Sequence, residues 1–211
     1  MNKSEIILKA LDQMYPDATV ELTHSNNFEL LIAVILSAQT TDVAVNKVTP
    51  ELFNKYPTVC ELANAKLEDV ENILKTIGLY KNKAKNIIKT AEILCLDHNS
   101  IVPNSREILE SLPGVGRKTA NVVLSNAFGV PLIAVDTHVA RVSKRLGLAK
   151  ESDDVLKIEQ KLYKKFKPER YTKLHHQLIF FGRYHCLAKK PKCYECPLVD
   201  ICVYKNKNFS K

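Results

Sequence analysis

Apolar residues recur at the helical spacing of three and four positions along almost the whole chain. The two-residue alternation of a half-buried strand is nearly absent. The run Leu30–Leu36 is apolar all round, which predicts a helix at the centre of a bundle. With only 6 Gly and 9 Pro in 211 residues, long loops are not expected either. The pattern therefore predicts an all-α fold with short connections.

Length and composition exclude several classes of protein. The longest apolar run, Leu30–Leu36, is far shorter than the span of about 20 residues that crosses a bilayer. The first residues carry Glu5 and show no export signal, so we expect a cytoplasmic protein without a membrane partner. A hydrophobic fraction of 45% indicates a globular chain, and a net charge of +8 is compatible with a polyanionic partner.

The cysteines fall into two groups. Cys60 and Cys95 stand alone in helical patterns, and we expect buried free thiols there. The other four crowd into 17 residues with the spacing Cys-x6-Cys-x2-Cys-x5-Cys: Cys186, Cys193, Cys196 and Cys202. Four soft ligands suit tetrahedral zinc or a cubane iron–sulfur cluster. Because only one close pair is present, the spacing favours iron–sulfur, and zinc remains the alternative.

The loop between the first two of these cysteines is basic. It contains Lys189, Lys190 and Lys192. A metal-held loop that presents three lysines predicts a contact with nucleic-acid phosphates. A solvated surface loop is the equally balanced alternative.

A tight Gly-x-Gly turn joins two helical segments near the middle of the chain. Gly114, Val115 and Gly116 are followed at once by Arg117 and Lys118. The unpaired N–H groups at the start of the second helix would form an anion site. The same helix end and Arg117 disfavour the charged form of Lys118, so its free amine is a candidate nucleophile. A plain phosphate contact is the alternative role.

A carboxylate stands where the next helix begins. Asp136 occupies an N-cap position, and capping alone would account for it. A capping carboxylate stays ionised, however, and would also stabilise positive charge that develops on a substrate. Arg141 and Arg145 follow on this helix as either a phosphate-facing stripe or its solvated side.

Four segments together resemble a known family. They read LSAQTTD at 36–42, LPGVGRKTA at 112–120 and VDTH at 135–138, followed by the four-cysteine pattern at 186–202. In this order they resemble the endonuclease III family, which are DNA glycosylases and AP lyases of the helix-hairpin-helix superfamily with an iron–sulfur cluster. The resemblance extends over nearly the whole chain.

The resemblance implies an all-α protein of two helical domains with a DNA-binding cleft between them. Residues 20–131 would form a six-helix barrel that includes the helix-hairpin-helix motif near 105–128. Residues 1–19 and 132–211 would form the domain that carries a [4Fe-4S] cluster. Such a protein is expected to act as a monomer on double-stranded DNA, in the cytoplasm at the nucleoid.

The resemblance also implies site residues and a reaction. Lys118 would attack C1′ of a nucleotide with a damaged pyrimidine, Asp136 would assist, and β-elimination would cut the strand 3′ to the abasic site. The cysteines at 186, 193, 196 and 202 would ligate the cluster, and residues 114–116 would clamp a phosphate. Gln39 would fill the gap left by the flipped nucleotide, and Leu79 would act as an apolar wedge.

Two other functions are compatible with parts of the sequence. Adenine glycosylases of the same superfamily resemble the chain in hairpin and cluster. They lack a lysine at the position of Lys118 and carry a catalytic glutamate in the helix that matches Leu30–Leu36, where this chain has no carboxylate. A DNA-binding module without chemistry would need the hairpin and the metal but not Lys118.

Overall fold

A computed structural model describes residues 2–210 of the protein, and within this range it contains helices and turns but no strand. The prediction of an all-α fold is therefore confirmed. None of the helices in the described range is long and apolar enough to cross a bilayer. The helices are α1 (Lys3–Met14), α2 (Asn27–Leu36), α3 (Asp42–Lys55), α4 (Val59–Ala63), α5 (Leu67–Leu74), α6 (Tyr80–Asp97), α7 (Arg106–Ser111), α8 (Arg117–Ala127), α9 (Thr137–Arg145), α10 (Val155–Lys165) and α11 (Tyr171–Phe180).

The chain divides into two compact units. One runs from Glu21 to Phe128 and holds α2 to α8. Its core is built on α2, in which Phe28 and all residues from 30 to 36 are buried, and α3, α6 and α8 pack against that helix. The central position predicted for this apolar segment is confirmed.

The other unit joins the chain up to Val20 to the chain from Gly129 onward. The helices α1, α9, α10 and α11 bury one apolar cluster, in which Phe181 is the largest side chain that is fully buried. Three of the four clustered cysteines, at 186, 196 and 202, pack against the edge of this core.

Side-chain caps and local turns define several helix ends. Ser105 caps α7, and Asp154 caps α10. The helix α11 follows a 3-10 turn at Pro168–Arg170 and continues into a π-helical turn at Phe181–His185. In that turn the Cys186 N–H donates to the Phe181 carbonyl at 2.6 Å.

The expectation of two lone buried thiols is wrong. Cys60 and Cys95 form a disulfide with a Cα–Cα distance of 5.3 Å, and both residues are only half-buried. The short helix α4, which the sequence analysis did not predict, packs against α6 and brings the two cysteines together. Thr58 and Glu61 form a capping box that fixes the start of α4.

Candidate functional site

The Gly-x-Gly turn between α7 and α8 is held by its own unit. Gly114 has φ +79°, and a Cβ there would lie 3.0 Å from Asn86 Nδ2 and 3.1 Å from Ile35 Cγ2. The Val115 N–H donates to the Leu112 carbonyl at 3.1 Å, and the Val115 side chain is buried. Glycine is thus required at the first position for both conformation and space. The Val115 side chain is therefore not available to a ligand.

The second glycine has a different reason to be there. Gly116 has φ −103° and ψ 179°, which any residue adopts, and a Cβ on it would meet no atom within 4 Å. Gly116 is therefore not required by backbone conformation. It serves as the N-cap of α8 and has no side chain to bond the first N–H groups of the helix. The start of α8 is open to an anion.

Lys118 lies in the first turn of α8, two residues after this cap, and its side chain is exposed together with that of Arg117. The helix carries no acidic residue in this turn. The positive end of the α8 dipole and the exposed cationic side chains of Arg117 and Lys118 therefore lie in the same turn. An amine in this position is accessible to a substrate.

Two further candidates stand at exposed turns with left-handed backbones. Gln39 has φ 55° in the link between α2 and α3, and Leu79 has φ 60° at the start of α6. Leu79 is 57% exposed. Left-handed conformations of such residues cost free energy and concentrate at functional sites.

Asp136 caps α9 as the sequence predicts. Its Oδ1 accepts the Val139 N–H at 2.8 Å, and the side chain is half-buried. Two residues later, burial lowers the pKa of His138, so the imidazole is more readily neutral there. Its Nδ1 lies 3.2 Å from Arg141 Nη2.

All four clustered cysteines line one cavity in the second unit, and none of them forms a disulfide. Burial raises the pKa of Cys186 and raises that of Cys196 to about 11. As the side chains stand, no group of three or more His, Cys, Asp or Glu within residues 2–210 converges on a single metal ion. The four sulfur donors nevertheless line the same cavity, and its lining also includes Phe181, Leu146 and Val199.

Two arginines of α9 hold the cysteine segment rather than face solvent. Arg145 is only 7% exposed, and its guanidinium donates to the carbonyls of Leu187 at 2.6 Å and Ala188 at 3.1 Å. Arg145 Nη1 also lies 3.4 Å from Cys186 Sγ. The half-buried Arg141 donates to the Cys186 carbonyl at 3.2 Å and to the Gly182 carbonyl at 2.7 Å.

The phosphate-facing or solvated stripe considered for this helix is therefore wrong at both arginines. The apolar pattern of α9 shows which side of the helix is buried. It does not show that Arg141 and Arg145 donate hydrogen bonds to carbonyl groups of the cysteine segment. Their bonds fix the backbone on both sides of the first candidate ligand.

The basic loop is exposed at its centre. Lys189 and Lys190 are exposed, and Lys190 has φ 48°. Lys192 is half-buried, and its N–H donates to the His185 carbonyl at 3.1 Å. The geometry leaves two of the three lysines fully available to a partner.

By its similarity to known proteins, the chain is a base-excision DNA repair protein. Residues 32–168 match the HhH-GPD superfamily base excision DNA repair protein, and the chain belongs to that family. It is 52% identical to endonuclease III of Bacillus subtilis (strain 168), over 96% of this chain and 92% of that relative.

Solved structures give the same result. The chain matches a non-covalent endonuclease III–DNA complex with a TM-score of 0.91 at 53% identity, over 96% of each chain. A trapped endonuclease III–DNA covalent intermediate matches with the same TM-score, identity and coverage.

Proposed function

We propose that this protein is a bifunctional DNA glycosylase and AP lyase that removes damaged pyrimidines from double-stranded DNA. The observation that carries the proposal is the exposed side chain of Lys118 in the first turn of α8. It lies two residues after Gly116, the N-cap that has no side chain to bond the first N–H groups of the helix. The similar protein trapped in covalent linkage to DNA supports an amine that forms a bond to its substrate. We place the activity at chromosomal DNA, in the cytoplasm at the nucleoid.

The reaction needs one nucleophile and three bond cleavages. Lys118 Nζ attacks C1′ of the damaged nucleotide, the bond from C1′ to the base breaks, and the base leaves with the bonding electrons and a proton. The C1′–O4′ bond then opens as the remaining amine proton passes to O4′, which leaves an imine between Nζ and C1′. This imine makes a C2′ proton acidic, and removal of that proton breaks the C3′–O3′ bond and expels the 3′ phosphate by β-elimination. An amine cannot reach C1′ in a stacked duplex, so the nucleotide must be extruded first.

Asp136 is the proposed carboxylate of the first step. Its Oδ1 is held by the Val139 N–H, which leaves the other carboxylate oxygen, Oδ2, for the substrate. Negative charge fixed in this way stabilises positive charge on the sugar as the base departs. The cap therefore contributes both to the start of α9 and to the reaction.

The exposed turns of the first unit are the proposed DNA contacts. In the proposed clamp at 114–116, the N–H groups of Gly114 and Gly116 and those at the start of α8 would bind one phosphate, with Arg117 beside them, because the Val115 N–H already donates to the Leu112 carbonyl. Open space at the Gly116 Cβ position allows a phosphate to approach the backbone closely. Gln39 and Leu79 would insert into the DNA duplex at the position that the extruded nucleotide leaves. Phosphate contacts would also come from Lys189, Lys190 and Lys192.

Cys186, Cys193, Cys196 and Cys202 are the proposed ligands of a [4Fe-4S] cluster. Support comes from four soft donors on one cavity and from the Arg145 guanidinium beside Cys186 Sγ, since a cationic donor stabilises a thiolate. When bound, the cluster would cross-link the tail at 186–202, which has few apolar side chains of its own. The reaction steps above involve none of these residues.

The proposal is tested on a labelled duplex with one oxidised pyrimidine and on a matched undamaged duplex. The wild-type protein is expected to release the base and leave a 3′ unsaturated aldehyde end. Lys118→Ala is expected to do neither while it still binds the duplex, and Lys85→Ala, at an exposed lysine of α6, serves as the control. Binding without any base release or cleavage by the wild-type protein would instead identify a DNA-binding module.

A further inference from the structure

Lys83 is a basic side chain that the proposed reaction does not use. It lies on α6, four residues after Leu79, and is only 4% exposed. Burial lowers the pKa of its amine. Lysines are rarely this deeply buried because the ammonium loses its hydration. A buried lysine in this position calls for a specific interaction.

That interaction is with the turn that carries Gln39. Lys83 Nζ donates to Thr40 Oγ1 at 2.5 Å, and the same hydroxyl lies 3.5 Å from the Ala38 carbonyl. The hydrogen-bonded chain thus connects the residues on both sides of Gln39. It leaves the Gln39 side chain exposed at the tip of the turn.

The backbone of Lys83 also belongs to the other candidate turn. Its N–H donates to the Leu79 carbonyl at 3.0 Å, the first helical bond behind the left-handed residue. Lys83 is therefore bonded through its main chain to one exposed turn and through its side chain to the other. Both turns contain a residue whose left-handed backbone must be held by its surroundings.

The same face of α6 reaches the hairpin. Asn86 follows Lys83 by three residues and Thr90 follows Asn86 by four, which places all three on one side of the helix. Asn86 Nδ2 lies 3.0 Å from the position that a Cβ on Gly114 would occupy. Thr90 Oγ1 donates to the Pro113 carbonyl at 3.1 Å. One helix face thus supports three candidate DNA-contacting turns.

We propose that Lys83 is a positioning residue that sets the Gln39 turn relative to Leu79, so that both side chains can enter the duplex at the same lesion. The inference rests on the proposed function, because it assigns Gln39 and Leu79 to the extruded nucleotide. A purely structural lysine would support the fold without affecting how the protein distinguishes a lesion from normal DNA.

The test compares affinity for a duplex with a tetrahydrofuran abasic analogue with affinity for the undamaged duplex. A 2-aminopurine beside the lesion reports unstacking by fluorescence. Lys83→Met keeps the aliphatic stem but removes the donor, and Thr40→Val removes the acceptor. Each is expected to lower the affinity ratio about tenfold and to reduce the fluorescence rise, with no further loss in the double variant.

Controls separate positioning from folding. Thr40→Ser keeps the hydroxyl and Lys85→Met changes an exposed lysine on the same helix, so both are expected to stay within about twofold of wild type. If Lys83→Met does not fold, Thr40→Val removes the same bond and decides the question. A ratio that stays at the wild-type value in Thr40→Val or in folded Lys83→Met, or additive losses in the double variant, would overturn the inference.

The proposed function fails separately. A wild-type protein that does not distinguish the two duplexes, or Gln39→Ala and Leu79→Ala variants with an unchanged ratio, would remove the roles on which the inference rests. Sensitivity to those two variants but not to Lys83→Met would overturn the inference alone.

Discussion

Alanine at position 114 would add a methyl group at a backbone angle of φ +79°, where neighbouring atoms already stand close. The left-handed conformation costs an L residue about 1–2 kcal/mol. The new Cβ would also lie 3.0 Å from Asn86 Nδ2 and 3.1 Å from Ile35 Cγ2, and Ile35 is buried in α2. Overpacking of this kind costs about 1–3 kcal/mol. We therefore expect Gly114→Ala to lower the free energy of unfolding by about 2–5 kcal/mol.

Gly116→Ala is the matched control two residues away. Its Cβ would meet no atom within 4 Å, and φ is −103°. Alanine is a poorer N-cap than glycine, but it also reduces the entropy of the unfolded chain, and these opposing effects are each about 1 kcal/mol or less. Stability should hardly change. DNA affinity should fall about tenfold, because the methyl group would obstruct a phosphate from backbone N–H groups.

Urea unfolding followed by circular dichroism measures the first effect, and fluorescence anisotropy with a labelled duplex measures the second. We therefore expect Gly114→Ala to lower the free energy of unfolding, and Gly116→Ala to lower the affinity for DNA without changing stability. A Gly114→Ala protein within about 0.5 kcal/mol of wild type would show that the hairpin relaxes freely and would refute the argument. A Gly116→Ala protein with unchanged affinity would refute the proposed phosphate contact.

Three further predictions concern the second unit. Lys189→Ala and Lys190→Ala should each weaken DNA binding and reduce the slope of log affinity against log salt by about 0.9, and unchanged slopes would make the loop merely solvated. Hydrogen bonds from Lys161 and from the Lys150 N–H lower the pKa of Asp153, so its stabilising effect is present above the ordinary Asp pKa of 3.8 and lost as the pH falls through the lowered value. Asp153→Asn should therefore be less stable than wild type at pH 7, with the difference closing in acid urea titrations. Purified protein should contain iron and acid-labile sulfide, and their removal should expose the 186–202 segment to trypsin; zinc in elemental analysis would contradict the cluster.

Much of the fold could be predicted because it depends on local periodicity. The spacing of apolar residues predicted an all-α fold and a central helix at Leu30–Leu36, which is part of α2, and Asp136 marked the start of α9. The short helix α4 was missed because five residues are too few to show a period. The disulfide between Cys60 and Cys95 was missed with it, since the pairing depends on how α4 packs against α6.

Candidate site residues could be named where they stand in a motif. The hairpin, Lys118 and the four cysteines are such cases, and their roles stay predictions. Contacts between distant segments were not visible, because Arg145 and Lys83 look like ordinary basic positions on amphipathic helices. Their roles come from carbonyl oxygens and a hydroxyl group supplied by segments more than 40 residues away in sequence. Left-handed backbones at Gln39 and Leu79 likewise leave no mark in the composition.

The central claim is that the Lys118 amine forms a covalent bond to the sugar of the damaged nucleotide. Borohydride reduction during incubation with an abasic-site duplex tests it most directly, with the adduct mapped by peptide mass spectrometry. The account predicts an adduct on Lys118 in the wild-type protein and none in Lys118→Ala, with Lys83 unmodified in both. An adduct of undiminished yield in Lys118→Ala, or one mapped to Lys83, would contradict it.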